Sequence, residues 1–230
     1  MSASDAPPSA SEPRFAHSRT YDLAFAAPVA LFYALTVLGN GILIAHQWPQ
    51  ARDLTARLTI ANEIGVILFF GLQAWHFLTR RLPVAKSEGL LPGTVAILGA
   101  NIAFALLLLP HVALGTVWSI VSFALTIGGT LGAVVALAWL GRAFSVLPEA
   151  RNFVSGGPYR FVRHPLYLME IVAMLGIMTG FRQPWSAMIV AATVALQLRR
   201  MGYEEDILAR TYPAYDAYRR RTARLIPGLY

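Results

Sequence analysis

The chain contains no cysteine, and that absence removes several chemistries at once. There is no disulfide framework, no thiolate nucleophile and no thiolate metal site to consider. Charge is also scarce, at 13% of 230 residues, where a soluble domain carries about a quarter. No P-loop, dinucleotide fingerprint or Ser-His-Asp order can be found. The start of the chain lacks the basic, apolar and small-residue succession of a signal peptide. His46, His76 and His111 are scattered at the ends of apolar runs without metal-ligand spacing, so no metal site is expected.

What fills the chain instead is apolar, 56% of all residues, gathered in long runs. The bilayer is therefore the expected solvent for most of it. Residues 1–22 are rich in Ser, Ala and Pro and read as a disordered tail. Apolar runs follow at about 23–48, 60–79, 91–110 and 116–140, and these four read as a transmembrane scaffold over residues 23–140. The apolar stretch 166–198 is too long for one helix and is interrupted at Gly180, Arg182 and Pro184. It reads as two short helices forming a hairpin, which brings the total to about six spans. From Arg199 to Arg221 the composition turns to Arg, Glu, Asp and Tyr, the pattern of a cytoplasmic amphipathic helix interrupted near Pro213. The expectation is an all-α integral membrane protein, with residues 141–230 as its functional region.

The excess of positive charge, +7 overall, sits at the ends of the apolar runs. With six spans, sixteen of the nineteen Lys and Arg residues fall on one side, and only Arg52, Arg57 and Arg182 fall on the other. Such an asymmetry assigns the termini and the loop after residue 140 to the cytoplasm, in a bacterial inner membrane or its equivalent. Flanking charge of this kind meets lipid headgroups, so nucleic acid is not expected as a partner.

That loop holds the most concentrated chemistry: Gly156, Gly157, Pro158, Tyr159, Arg160, then Arg163, His164, Pro165, Leu166 and Tyr167. A residue before proline leaves the α region, and proline suits a first helical turn. His164 therefore belongs at a helix mouth, where backbone N–H groups and the helix dipole attract an anionic group. Tyr167 follows one turn later on roughly the same side. Gly156 and Gly157 would let a ligand approach the backbone closely. A second group, Arg199, Arg200, Tyr203, Glu204 and Glu205, emerges at the same membrane edge, with Arg200 and Glu204 on one helix face. An ordinary surface pair would look no different in isolation; its position beside the first group gives it weight. Two acids, Glu63 and Glu170, lie in or beside spans, and intramembrane acids are functional candidates by default. Glu170 is suited to support Arg163 or a ligand.

Taken together, Gly157-Pro158-Tyr159-Arg160, Arg163-His164-Pro165-Leu166-Tyr167, Glu204-Glu205 and Arg224-Leu225-Ile226-Pro227-Gly228 resemble the isoprenylcysteine carboxyl methyltransferase family. Residues 140–145 are also similar to it. That family is related to the phospholipid methyltransferases. The resemblance covers about residues 140–230 and implies S-adenosylmethionine as cofactor, contacted by Val154, Tyr159, His164, Pro165, Leu166, Tyr167 and Glu204. It implies that Arg200 meets the acceptor, with Arg200 and Glu204 as the catalytic pair. Met169 stands where the family often has Gly, and would narrow an acceptor channel. Tyr212-Pro213 replaces the usual Phe-Gly.

The implied reaction is carboxyl O-methylation of an isoprenylcysteine-like or other lipophilic acid entering from the bilayer, with membrane lipids as surroundings. A carboxylate is already ionised, so the site needs dryness and orientation more than a base. The rival readings are phospholipid or amine N-methylation, thiol S-methylation, an NADPH-dependent reductase of the sterol type, and a non-catalytic membrane scaffold. Gly39, Gly128, Gly129 and Gly132 permit close helix approach within or between chains.

Overall fold

The computed structural model describes residues 19–228, with side chains from residue 27 onward except at 55 and 107. The expected tail falls largely outside the described residues, and its last positions belong to the first helix. Seven α-helices follow: α1 (Arg19–Gln47), α2 (Leu54–Thr79), α3 (Leu90–Asn101), α4 (Thr116–Leu140), α5 (Pro165–Met178), α6 (Trp185–Thr211) and α7 (Ala214–Arg221). The only strands among the described residues are the two-residue β1 (Ala85–Lys86) and β2 (Glu149–Ala150), paired antiparallel.

Three segments are long and apolar enough to cross a membrane, Ala27–Gln50, Ala56–Thr79 and Thr116–Ala143. The other expected spans come out differently. The third run is a short α3 continued by a 3₁₀ segment, Ile102–Leu108. At the junction the Asn101 amide donates to the Ile97 carbonyl at 2.8 Å, a local bond that competes with helix continuation. The fourteen residues of α5 reach only about 21 Å, less than the bilayer core of about 30 Å. Helix α6 is not short. It runs through Arg199 and the Glu pair to Thr211, so the expected separate amphipathic helix is the extension of α6 plus the eight residues of α7. Nothing between Gln197 and Thr211 breaks a helix: Gly202 alone costs about 1 kcal/mol, and the interruption waits for Pro213.

Helices α1, α2, α4 and α5 form one packed layer, while α3 packs on α6. Between α1–α2 and α3 there is little close backbone approach, and a cleft opens there. The tightest seam is α4 on α5. A Cβ at Gly129 would stand 2.4 Å from the Ala173 nitrogen and 2.7 Å from the Met169 carbonyl, so only glycine permits this approach. Along the same seam the Ser122 hydroxyl donates to the Gly176 carbonyl at 2.9 Å. These contacts lie within one chain, which answers the question left by the glycine pattern for Gly129 and Gly132. Gly129→Leu should destabilise the protein by about 3 kcal/mol, the upper part of the overpacking range, read as a lowered Tm in detergent. An unchanged Tm would mean the seam is not as close as described.

Both ends of the bundle are tied. At one end the α3–α4 loop meets the α5–α6 turn, with Val112 N–H donating to Gly180 at 3.0 Å and Arg182 N–H to Pro110 at 3.1 Å. At the other end β1–β2 joins the α2–α3 loop to the loop before α5. Glu149 reinforces that join, paired with Arg151 at 2.6 Å and Lys86 at 3.1 Å.

Candidate functional site

The loop from 156 to 164 folds as the local sequence demands. Gly157 takes φ +56°, a conformation that favours glycine, and starts a 3₁₀ turn through Arg160. A Cβ on Gly157 would lie 2.3 Å from the Trp139 indole. The room that glycine leaves on this side is thus filled by the Trp139 indole, a packing reason for Gly157 where the sequence suggested a ligand. His164 is the N-cap of α5 and Pro165 its first residue, as the His-Pro step predicts.

The helix mouth is partly occupied by the protein itself. The N–H groups of Arg163 and His164 donate to the carbonyls of Ala223 and Arg224, at 2.8 and 3.1 Å. A C-terminal strip thus lies alongside the motif in parallel, bridging Val162 to Ala223.

Side chains complete the attachment through Glu205, one residue past the expected ligand. A single carboxylate oxygen, Oε1, meets His164 Nε2 at 3.0 Å, Arg224 Nε at 3.0 Å and Arg163 Nε at 3.1 Å. The first two are hydrogen bonds; the third is an ion pair whose angle does not make one. Arg163 uses another nitrogen to hold the Arg219 carbonyl at 2.7 Å. Arg160 turns away and lies over the exposed Phe161 ring at 4.4 Å.

Burial works to raise the Glu205 pKa, but His164, Arg224 and Arg163 together outweigh it and hold the carboxyl below its usual 4.5. A depressed carboxyl contributes stability that is present above its unfolded value and lost as pH falls through the folded one. Thermal stability should therefore hold above about pH 5 and decline once pH passes below the ordinary carboxylate value. Glu205→Gln should flatten that acid limb, and an identical limb in the variant would contradict the assignment.

Glu204 faces the other way, into the site. Its Oε1 accepts from Tyr167 Oη at 2.5 Å and from Arg200 Nε at 3.0 Å. Its second oxygen lies 4.0 Å from His164 Nδ1. Arg200 also donates to the Ser145 carbonyl at 3.1 Å and lies over the Tyr167 ring at 5.0 Å. His164 and Tyr167 stack at 5.6 Å. The two groups recognised in the sequence are thus in direct contact.

Two cavities meet here. The first, of about 100 Å³, lies at the membrane edge and is bordered by Asn152, Val154, Tyr159, His164 and Glu204. Phe153, Tyr215 and Tyr218 also line it, with Phe153 stacked edge-on against the two tyrosines at 5.4 and 5.1 Å. Burial first, and then the Glu204 charge, push the Tyr159 phenol well above its ordinary value, so it stays neutral. The second cavity, about 440 Å³, lies among the spans in the cleft between α1–α2 and α3–α6. Its walls are apolar except for a polar floor that includes Gln73, Glu170, Gln197 and Arg200. Phe144, Leu166 and Tyr167 line both cavities and form the partition.

The remaining expected residues divide. Pro165 shapes the helix start and does not line a cavity. Met169 also lies outside both: its sulfur fills the notch at Gly132, where a Cβ would come within 2.4 Å. The channel-narrowing role is therefore taken from Met169, whose neighbour on the chain, Glu170, faces the large cavity instead. Glu63 accepts from Gln47 at 3.1 Å, remote from the site. Glu205 and Arg224 stand in the motifs that carry the resemblance but had no role assigned to them, and the aromatic group was not singled out from the sequence. The spacing of Tyr212, Tyr215 and Tyr218 by threes was the one available signal for the aromatics. No sequence pattern distinguishes the roles of adjacent glutamates, which project about 100° apart around a helix. Among the described residues no group of three or more His, Asp or Glu could hold a metal ion.

Residues 111–215 match the family described as phospholipid methyltransferase. Two curated proteins are similar to the chain. The nickel-cobalt-cadmium resistance protein NccN of Alcaligenes xylosoxydans xylosoxydans is 34% identical over 114 residues, 47% of this chain and 53% of that protein. The cobalt-zinc-cadmium resistance protein CzcN of Cupriavidus metallidurans is 32% identical over 106 residues, 44% of this chain and 48% of that protein. The chain thus spans about half the length of the curated relatives it matches. The family match and the long apolar helices support a membrane-embedded methyltransferase.

Proposed function

With residues 111–215 matching the phospholipid methyltransferase family, we propose that this chain transfers a methyl group from S-adenosylmethionine to a lipophilic acceptor. The observation that carries the reading is the pair of cavities sharing one wall, one polar and aromatic at the membrane edge, the other apolar and within the spans. A charged cofactor from the cytosol and an acceptor from lipid require such an arrangement.

The edge cavity fits the cofactor by its chemistry. Aromatic faces attract a cation and stack a purine, and a carboxylate beside them answers positive charge. At about 100 Å³ it is a slot, smaller than the roughly 300 Å³ of common ligand pockets, so the wall formed by α7 has to move outward on binding. Bound there, the cofactor supplies an electrophilic methyl on a sulfonium. Glu204 and the His164–Tyr167 stack would hold it. Tyr167, with Phe144 and Leu166, excludes water at the partition, and Arg200 reaches from Glu204 to the acceptor side. The face carrying these residues is the basic one, which supports a cytoplasmic placement.

The resemblance points to carboxyl O-methylation of an isoprenylcysteine-like acid, with Arg200 holding the carboxylate. The relatives' names speak of metal resistance, while the family match supports methyl transfer for this chain.

Calorimetric titration of the purified protein with S-adenosylhomocysteine tests the reading. Heat of binding together with thermal stabilisation is expected. Neither signal, with the protein folded, would sink it. Labelled methyl transfer into native membrane lipid, with the product identified by mass, then names the acceptor.

A further inference from the structure

Beyond the general excess of positive charge, one basic surface is built from two segments that the fold brings together. The turn before α5 presents Arg160 and Phe161, both exposed, with the guanidinium over the ring at 4.4 Å. Helix α7 ends in Arg219, Arg220 and Arg221, which are exposed as well. Two hydrogen bonds join the turn to the helix. Tyr218 Oη donates to the Tyr159 carbonyl at 2.6 Å, and an Arg163 N–H donates to the Arg219 carbonyl at 2.7 Å. So attached, α7 keeps Tyr215 and Tyr218 inward, where they line the edge cavity, and its arginines outward.

Most of this charge is not answered within the protein. The one acid in residues 156–164 and 214–228 is Asp216, which lies 3.6 Å from Arg219. Arg160, Arg220 and Arg221 have no carboxylate partner among the described residues. The helix dipole favours a cation in the last turn, but it does not call for three in succession.

The surroundings point to a membrane as the partner. Trp139 lies in the last turn of α4, at the end of a segment long enough to cross the bilayer, and it is 56% exposed. Aromatic rings collect at that boundary. Gly157 packs directly on the Trp139 indole, so the turn stands at the same level. Phe161 is 60% exposed, and Ile226, on the strip that runs beside the turn, is 46% exposed. Apolar side chains flanked by guanidinium groups suit a headgroup boundary, the former reaching the acyl chains and the latter the phosphates. A guanidinium also matches phosphate oxygens with paired N–H donors.

We propose that Arg160, Phe161 and the arginine end of α7 form a binding surface for the phosphate headgroups of anionic lipid. Lipid held there restrains α7, a wall of the edge cavity, from its outer side. The surface does not depend on which reaction the cavity supports.

The test titrates the purified full chain, in uncharged detergent, with phosphatidylglycerol or phosphatidylcholine of the same chain length. Thermal stabilisation reads the affinity and hydrogen exchange locates the contact. The wild type should bind phosphatidylglycerol about tenfold more tightly, a preference that shrinks as salt rises. Exchange should slow at the amides of residues 214–221. Arg220→Gln combined with Arg221→Gln should bring the preference within about twofold. The same loss of charge at Arg52 and Arg182, toward the other end of the bundle, should leave it intact. Phe161→Ser should weaken both lipids alike, because the ring serves the acyl boundary and not the charge. Equal binding of the two lipids by the wild type would overturn the proposal. So would a preference that survives in the folded Arg220→Gln, Arg221→Gln variant, or unchanged exchange across 214–221. Displacement of phosphatidylglycerol by polyglutamate at equal charge would give the surface to an acidic protein and overturn the proposal as well.

Discussion

Glu205→Ala is expected to cost about 3–5 kcal/mol of folding stability, the range for removing one member of a buried charge group. The carboxylate sits among His164, Arg163 and Arg224 with only 7% of its side chain exposed. Its removal leaves two guanidinium groups gathered around no counter-charge. They are also the joints between three segments: the motif turn through Arg163 and His164, helix α6 through Glu205 itself, and the C-terminal strip through Arg224. The strip should therefore detach from the motif. Hydrogen exchange would read this as lost protection at the amides of Arg163 and His164, which the strip's carbonyls now occupy. A large fall in Tm with those amides still protected would show that Glu205 stabilises the fold without fastening the strip.

Glu204→Gln is expected to weaken cofactor binding by about 10–100-fold, the worth of a charge-assisted hydrogen bond of roughly 1.5–3 kcal/mol. The amide keeps the side chain's shape and can still accept from Tyr167 and Arg200, so the fold should change little. The loss should be larger for S-adenosylmethionine, whose sulfonium is positive, than for its neutral thioether product. Calorimetry of the two ligands on one preparation separates a lost charge from a distorted pocket, since distortion would weaken both alike. Equal affinity in wild type and variant would refute the role of Glu204. Arg200→Ala should differ in kind, leaving cofactor affinity within a few-fold and lowering turnover by about 10²–10³, the range for removing one preorganised electrostatic group.

The adjacent glutamates show how the extended α6 serves the site. Along a straight helix, neighbours project about 100° apart, so Glu204 and Glu205 reach separate partners. One carboxylate meets Tyr167 and Arg200 in the cavity; the other binds the C-terminal strip behind it. This division depends on α6 leaving the bilayer without a break. Had a separate helix begun at Arg199, no rigid element would connect Gln197, within the spans, to Glu204 at the edge. As built, the Gln197–Arg200–Glu204 face forms one continuous line from the large cavity to the small one.

Much of this was legible in one dimension because its causes are local. Apolar run lengths predict α1, α2 and α4, since a bilayer accepts only hydrogen-bonded segments long enough to cross it. The His-Pro step predicts the start of α5 through proline's fixed φ and missing N–H. The spacing of Arg200 and Glu204 predicts their pairing through the helical repeat. What the tertiary structure alone decided are the relations between distant segments. The notch at Gly132 takes Met169 out of the channel and leaves Glu170 at its floor, because a helix one residue further on faces a different neighbour. Trp139 fills the space at Gly157, 18 residues away in sequence, which no local rule foresees. The C-terminal strip takes up the N–H groups of Arg163 and His164, which local sequence alone left open. Composition and periodicity determined that this chain is a helical membrane protein with one chemically dense edge. Which side chains face that edge's two cavities was decided by packing, where long-range contacts select among faces that local propensity leaves equivalent.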